Sequence, residues 1–287
     1  MINSLNLEPE TKTSEWHGIV DLDYAKINES TQLIKGYSQA PFKIQRSFYP
    51  EGKEICQSVI LHTAGGIVGG DRLSQKINLQ PETKVLLTTA SASKIYRSNG
   101  KTAQQSININ IQENACLEFL PRETIVFDQA MYRQDIKVNL APSAVWLGWE
   151  IVRFGRSARG EKFLQGQWHS NTEIWQNNCP LWIDRQGFIA NEEQFNHPHS
   201  LAGQPVVATL SWVGQPISEE MIEKTRQLWH PQDNFSQVGV TQLISGLLCR
   251  YRGNSTQEVI NWFTDVWQLL RQNYAGQSIA KPRVWQI

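Results

Sequence analysis

The chain has 287 residues, with 27 Lys and Arg against 27 Asp and Glu, so its formal net charge is zero. This balance argues against the basic surface of a nucleic-acid-binding protein, and no apolar run approaches the ~18 residues of a membrane span. The four cysteines include no C-x-x-C pair. Because the first residues lack an apolar signal-peptide core, we expect a cytoplasmic protein with reduced cysteines.

Residues 1–15 are polar and without periodicity, which predicts a flexible tail before a single domain over 16–287. From 16 to 215 the chain is rich in β-strand patterns; Ser106–Gln112, for example, alternates isoleucines with polar residues. Residues 181–190 predict a hairpin with Gly187 at the positive φ of its turn. Other strands are predicted at 73–79, 85–89, 136–140, 145–152 and 206–213.

The pattern changes to a helical element over 216–287. Ser218 followed by two glutamates predicts a helix start, and this helix continues to about 229. Apolar spacing predicts a second helix over 241–251, and the capping box at Ser255 predicts a third that ends near Gly276. Pro282 predicts an extended terminal strand. The fold class is therefore mainly β, with a small C-terminal helical element.

The stretch LHTAGGIVGGD, residues 61–71, contains four glycines: Gly65, Gly66, Gly69 and Gly70. It lacks the G-K-[ST] ending of a P-loop and the spacing of G-x-G-x-x-G, and a strand pattern follows it instead of a helix. We therefore favour a sharp turn or close backbone packing over phosphate binding, with Asp71 capping the turn.

Two catalytic or metal-binding patterns remain open at this point. Ser91 and Lys94 form one S-x-x-K match, but the companion motifs S-D-N and K-T-G are absent, which disfavours a hydrolase of that class. His62 with Asp71 could form a weak divalent-ion site, or His62 could be a hydrogen-bonded histidine at a strand end. The pair His197 and His199 fits a solvated loop better than a metal site.

Two surface patterns also leave alternatives open. Arg153, Arg156 and Arg159 recur at spacing three, which fits contacts to an anion or a partner, or a solvated rim. The eleven tryptophans are scattered along the chain, which favours packing, while a β-rich carbohydrate- or protein-binding module is the alternative.

Five segments in this order resemble the UreD family of urease accessory proteins, called UreH in some species, over nearly the whole chain. They are His62–Asp71 (HTAGGIVGGD), Lys94–Ser98 (KIYRS), Leu117–Ile125 (LEFLPRETI), Arg156–Glu161 (RSARGE) and Lys281–Trp285 (KPRVW). The resemblance implies a β-helix-like stack of strands and a maturation factor that is not an enzyme. It also implies binding to apo-urease and UreF, contact with the GTPase UreG through UreF, and help in nickel insertion.

The same resemblance directs the choice of site residues. Transfer of nickel favours weak, exchangeable ligands, so we expect transient Ni²⁺ and no tightly bound cofactor. Asp71 is the first candidate ligand, followed by His62 and Glu150. The glycines are assigned a structural role in the loop, and Arg156 and Glu161 are assigned to partner binding.

Overall fold

The computed structural model describes residues 15–231 and 235–285. Two β-sheets dominate this part of the chain, and three helices accompany them. The strands are β1 (His17–Ile27), β2 (Ser30–Gln39), β3 (Phe42–Ile44), β4 (Ile55–His62), β5 (Arg72–Leu79), β6 (Lys84–Thr89), β7 (Ser93–Ile95), β8 (Ala103–Ile111), β9 (Cys116–Leu120), β10 (Thr124–Val126), β11 (Met131–Leu140), β12 (Val145–Phe154), β13 (Gln167–Gln176), β14 (Cys179–Ile189), β15 (Val206–Val213), β16 (Gln237–Leu243) and β17 (Gly246–Gly253). The helices are α1 (Glu192–Asn196), α2 (Glu219–Gln227) and α3 (Thr256–Ala275), with 3-10 turns at Ser157–Arg159 and Arg283–Trp285.

From β4 to β13 the chain coils between the two sheets. The first sheet has the order β14-β13-β11-β8-β5-β1-β2, and its strands β1, β5, β8, β11 and β13 are parallel. In the second sheet β4, β6, β9 and β12 are parallel neighbours. Each coil therefore stacks on the preceding one, and this β-solenoid-like arrangement confirms the expected fold class.

In strands with an alternating pattern, one side chain faces the space between the two sheets and the next faces outward. In β8, Ile107 and Ile109 are buried between the sheets, whereas the side chains between them face outward. On that outer face, Asn110 donates to Asn78 at 2.9 Å and Asn139 donates to Asn110 at 3.0 Å. This amide ladder joins three successive coils and helps to fix their register.

The helical element covers the outer face of the second sheet and creates a second apolar core. Helix α3 begins where Ser255 accepts the N–H of Glu258 and ends at Gly276, which has a left-handed conformation. Helix α2 begins with Ser218 as its N-cap. Both helices confirm the sequence prediction.

Four local predictions are wrong. Residues 241–251 do not form a helix but the β16–β17 hairpin, because alternate side chains of β17 are buried against the neighbouring strand. The predicted hairpin at 181–190 is the single strand β14. Its turn lies earlier, at Asn177 and Asn178, both with positive φ. Gly187 does not have the predicted positive φ. An added Cβ there would lie 2.9 Å from Nδ1 of His169, so that side chain would have to shift. The predicted C-terminal strand is a 3-10 turn at Arg283–Trp285.

The remaining organisational predictions divide between described and undescribed residues. All but residue 15 of the predicted tail lies outside the described residues. The boundary near 216 does not separate strands from helices, because the C-terminal part contains the β16–β17 hairpin as well as helices. In the described ranges, no helix combines the length and apolar character that crossing a membrane requires.

Candidate functional site

A cavity of about 390 Å³ lies between the two sheets. Apolar side chains form much of its wall, but polar groups reach it from both sheets. These include His62, Gln75, Gln105, Gln134 and Glu150, together with hydroxyls at 88–93. The cavity is therefore large enough for several water molecules or a hydrated ion, and it is lined by groups that can bind one.

An interruption in the second sheet opens space for this cavity. Strand β9 pairs with β12 as far as Phe119 and Gly148, and pairing along β12 resumes only where Thr124 meets Val152. Two short segments leave the ladder between these coils, namely residues 121–123 and, in the preceding coil, residues 89–92. Most of these residues line the cavity. The gap is thus built into two successive coils.

The glycine loop, residues 65–70, forms part of the cavity rim. A Cβ on Gly66 would lie 2.7 Å from the carbonyl oxygen of Lys94, and one on Gly69 would lie 2.5 Å from that of Lys101. Gly70 has a φ of +99°, which favours glycine. Gly65 meets neither constraint. Close backbone packing and one positive φ therefore explain three of the four glycines.

Asp71 serves this loop and does not line the cavity. Its side chain is buried, and its carboxylate accepts the backbone N–H of Trp16 at 3.1 Å and of Val68 at 2.9 Å. Both oxygens are thereby occupied by backbone amides. The structure gives this first candidate ligand a turn-capping role outside the cavity lining, whereas the other two candidates line the cavity.

His62, at the end of β4, presents a free lone pair inside the protein. Its Nδ1 lies 3.3 Å from the carbonyl oxygen of Ala64. Because a carbonyl can only accept, Nδ1 carries the proton and Nε2 carries the lone pair. Nε2 is buried without a hydrogen-bond partner among the described residues. Burial is the largest cause of a lowered pKa at His62, so its imidazole is neutral near pH 7.

Gln75 provides a second unpaired acceptor. Its side chain is 6% exposed and lines the cavity, and its Oε1 has no hydrogen-bond partner in the described part of the chain. Leaving a buried carbonyl oxygen unpaired is costly unless a water molecule or a cation binds it. Together with Nε2 of His62, this atom marks the cavity as a place where a ligand or solvent belongs.

Glu150 is the carboxylate of the cavity. Its Oε1 accepts Nε2–H of Gln134 at 2.8 Å, and both oxygens lie within 2.9 Å of the Ser170 hydroxyl. Burial raises the pKa of Glu150 to about 7, with the Ser170 hydrogen bond opposing the rise and the charge of Asp184 adding to it. All of these hydrogen-bond partners are neutral, so the carboxylate gains a proton or a cation at modest cost.

A smaller pocket of about 20 Å³ also has Glu150 in its wall. Asp184, Thr209 and Ser211 contribute to its wall. Its volume suits a single water molecule or ion. At present Asp184 accepts a hydrogen bond from Arg250 at 2.7 Å, so the pocket ends at an ion pair.

The arginine motif lies outside the cavity lining, and two of its three arginines, Arg153 and Arg156, make contacts within the chain. Arg156 forms an ion pair with Glu161 and lies 4.5 Å above the centroid of the Phe127 ring. Glu161 also accepts the backbone N–H of Asp128 at 3.2 Å. Arg153 donates to the carbonyl oxygen of Asn254 at 2.7 Å. These contacts hold the segment after β12 in place, and partner binding by Arg156 and Glu161 stays a prediction.

The other candidate patterns gain little from the structure. Within the described ranges, no hydrogen bond joins Ser91 to Lys94, although both reach the cavity wall. Nδ1 of His197 accepts the backbone N–H of His199 at 3.2 Å, so its lone pair is already used. Residues 15–231 and 235–285 contain no group of three or more His, Cys, Asp or Glu side chains placed to hold a metal.

The glutamines were missed from the sequence, although a signal for them exists. Gln75, Gln105 and Gln134 each occupy an inward position between apolar residues of an alternating strand. A polar residue on the apolar side of such a pattern indicates an interior polar site. The sequence motifs do not include these three cavity side chains, whereas their polar character at apolar positions indicates them.

Comparison with known proteins gives matches along nearly the whole chain. The family model described as UreD urease accessory protein matches residues 17–286. A urease accessory protein UreD from Nostoc punctiforme is 59% identical over 272 residues, covering 95% of this chain and 96% of the relative. Proteins of the same name from Trichormus variabilis and Synechocystis sp. are 60% and 40% identical, each covering 94% of this chain and 96% and 99% of the relatives.

Proposed function

Because the chain belongs to the UreD family of urease accessory proteins, we propose that it assists urease maturation as a scaffold through which nickel reaches apo-urease. Its partners in this proposal are apo-urease and UreF, with UreG joined through UreF. The protein acts in the cytoplasm and catalyses no reaction of its own. Nickel is its cargo and not a resident cofactor.

The cavity between the sheets carries the proposal. It brings together three lone-pair donors that are distant in sequence, namely Nε2 of His62, Oε1 of Gln75 and the carboxylate of Glu150. Imidazole nitrogen and carboxylate oxygen are both ligands that suit divalent nickel. A space lined by such groups, two of which have no hydrogen-bond partner among residues 15–231 and 235–285, is suited to a passing cation.

The ligand set also favours release over storage. One carboxylate, one imidazole and amide oxygens hold a divalent ion less tightly than a cage of thiolates and imidazoles. When nickel binds Glu150, the ion replaces the proton that burial favours there. The small pocket beyond Glu150 extends the route towards Asp184, where Arg250 occupies the carboxylate in the empty protein.

The first experiment removes the two charged or basic cavity ligands. Purified complexes containing the native chain, Glu150→Gln, His62→Asn or the double variant with both changes are mixed with apo-urease and nickel, and the nickel content and activity of urease are measured. We expect both to fall by about tenfold in the double variant, while the complexes still form. Asp135→Asn is the matched control, because Asp135 pairs with Arg133 on the outer face of the first sheet. Full nickel loading by the double variant would contradict the conduit.

A second experiment addresses the partners separately. The tagged chain is expressed with the urease subunits and accessory proteins, and the captured proteins are identified. We expect UreF and urease to co-purify with it, and UreG to appear only when UreF is present. Recovery of neither UreF nor urease would contradict the scaffold role, independently of the cavity.

A further inference from the structure

The last described segment, residues 279–285, lies over the gap in the second sheet. Nε1–H of Trp285 donates to Oγ1 of Thr88 at 3.0 Å, and its ring centroid lies 5.6 Å from that of Trp149. Thr88 and Trp149 both line the cavity. Trp285 therefore contacts two residues of the cavity wall from the helical side, near the place where β9 and β12 part.

The segment is held by side chains and not by a strand ladder. The N–H of Ile279 donates to Oε1 of Gln268 at 3.0 Å, and Nε2–H of Gln57 donates to the carbonyl oxygen of Ala280 at 3.1 Å. Pro282 is buried, and Trp285 makes the aromatic and Thr88 contacts. Because these contacts are few and local, the segment can detach while the solenoid beneath it stays intact.

Two cations of this segment face solvent. Lys281 and Arg283 are exposed, and they alternate with the buried Pro282. Neither makes an ion pair or a side-chain hydrogen bond with another described residue. The nearby carboxylate of Glu51 is already bound to Arg271 and Gln57, so it does not neutralise them. Two unpaired cations beside a covered opening favour an acidic segment of another protein as the group that binds there.

We propose that residues 279–285 are a displaceable cover of the cavity, and that an acidic segment of a partner protein docks on Lys281 and Arg283 and releases it. The inference rests on the proposed function, since cargo that enters at the glycine-loop rim needs a second opening, and the gap under this segment would provide one. It gives the KPRVW segment a role in which Pro282 and Trp285 anchor the cover and the two cations receive the partner.

Thiol labelling tests the cover without nickel or urease. Thr88→Cys places a thiol beneath Trp285, in a Cys179→Ser background that removes the exposed cysteine. N-ethylmaleimide should label Cys at this position slowly, and adding Trp285→Ala should raise the rate by about tenfold, whereas Trp229→Ala, a change away from the cover, should not. An unchanged rate with Trp285→Ala would overturn the cover.

A short poly-glutamate peptide tests the docking step. It should accelerate labelling of the Thr88→Cys protein, and poly-lysine should not. Lys281→Ala with Arg283→Ala should abolish the response while the anchors of the cover remain. Acceleration by Trp285→Ala but none by poly-glutamate would overturn the acidic partner and leave the cover standing.

Hydrogen exchange provides a measurement that needs no introduced cysteine if Thr88→Cys fails to fold. Amides of 84–91 should exchange faster in Trp285→Ala than in the native chain, and unchanged exchange would again overturn the cover. Neither readout depends on nickel. Failure of the Glu150 and His62 variants to reduce nickel loading would therefore refute the conduit alone.

Discussion

Glu118 and Glu150 lie in two different regions of the protein and have opposite kinds of hydrogen-bond partner. Under helix α3, Glu118 is bound by Arg271 and accepts the Tyr274 hydroxyl at 2.6 Å. In the cavity, the hydrogen-bond donors to Glu150 from the described residues are the neutral side chains of Gln134 and Ser170. Arg271 is fully buried and joins Glu118 to Glu51, so the first region is saturated with ionic contacts.

The difference separates structural charge from functional charge. A buried ion pair whose donors and acceptors are all matched joins the helix to the sheet and has nothing left to bind. A half-buried carboxylate with neutral hydrogen-bond partners, beside the unpaired acceptors of His62 and Gln75, keeps its capacity for a cation. The comparison predicts that changes under α3 affect stability, while changes in the cavity affect nickel transfer.

The largest effect should come from Arg271→Met. Removing this guanidinium leaves Glu118 and Glu51 buried without their cation, which should cost about 3–5 kcal/mol of unfolding free energy. Denaturant titration of the two proteins measures the loss. Arg133→Met is the control, because Arg133 forms an exposed pair with Asp135 and should cost less than about 1 kcal/mol. Similar losses of unfolding free energy in the two variants would contradict a special structural role for the buried ion pairs under α3.

Gly69→Ala tests whether the cavity rim is as tightly packed as the helical core. The new Cβ would lie 2.3 Å from Oγ of Ser98 and 2.5 Å from the carbonyl oxygen of Lys101, which should cost about 2–3 kcal/mol. Gly65→Ala is the matched control in the same loop, because its Cβ would meet only the Tyr96 hydroxyl oxygen at 3.5 Å. Thermal unfolding should show a lower melting temperature for Gly69→Ala than for Gly65→Ala. Equal melting temperatures would show that the rim can rearrange to accommodate the new methyl group.

Asp71→Ala should act on the loop and not on the ligands. It leaves the N–H groups of Trp16 and Val68 without their carboxylate, which should cost about 1–3 kcal/mol. Its effect on urease activation should follow the stability loss and diminish at lower temperature, where more of the chain is folded. Lost nickel loading in a fully folded Asp71→Ala protein would instead restore Asp71 as a ligand.

The smallest effect concerns pH and Glu150. Its raised pKa means that the folded protein binds a proton more readily than the unfolded chain, so this group's contribution is fully present below pH 4.5 and is lost as pH rises to about 7. Glu150→Gln should therefore stabilise the protein by about 1–2 kcal/mol at pH 8, with the gain fading towards pH 5. Urea titrations at both pH values measure the gain. A gain independent of pH would exclude ionisation of Glu150 as its cause.

Local patterns in the sequence were sufficient for much of the fold. Strict alternation located β8 and β11, and the capping residues Ser218 and Ser255 located two helix starts, because these signals depend on neighbours a few residues away. The same reasoning failed at 241–251, where apolar spacing fitted both a helix and a strand, and pairing with β15 decided between them.

For the candidate site as well, some features followed from the sequence and others only from the tertiary structure. The sequence by itself determined which residues could serve as ligands and that the glycine loop was constrained, since side-chain chemistry and backbone freedom belong to each residue. Only the tertiary structure decided that Glu150 and His62 share a cavity while Asp71 does not. The coiling of the chain brings together residues nearly ninety positions apart, as the numbering of His62 and Glu150 shows. That proximity is set by sheet register and by the gap between β9 and β12, which no short segment encodes.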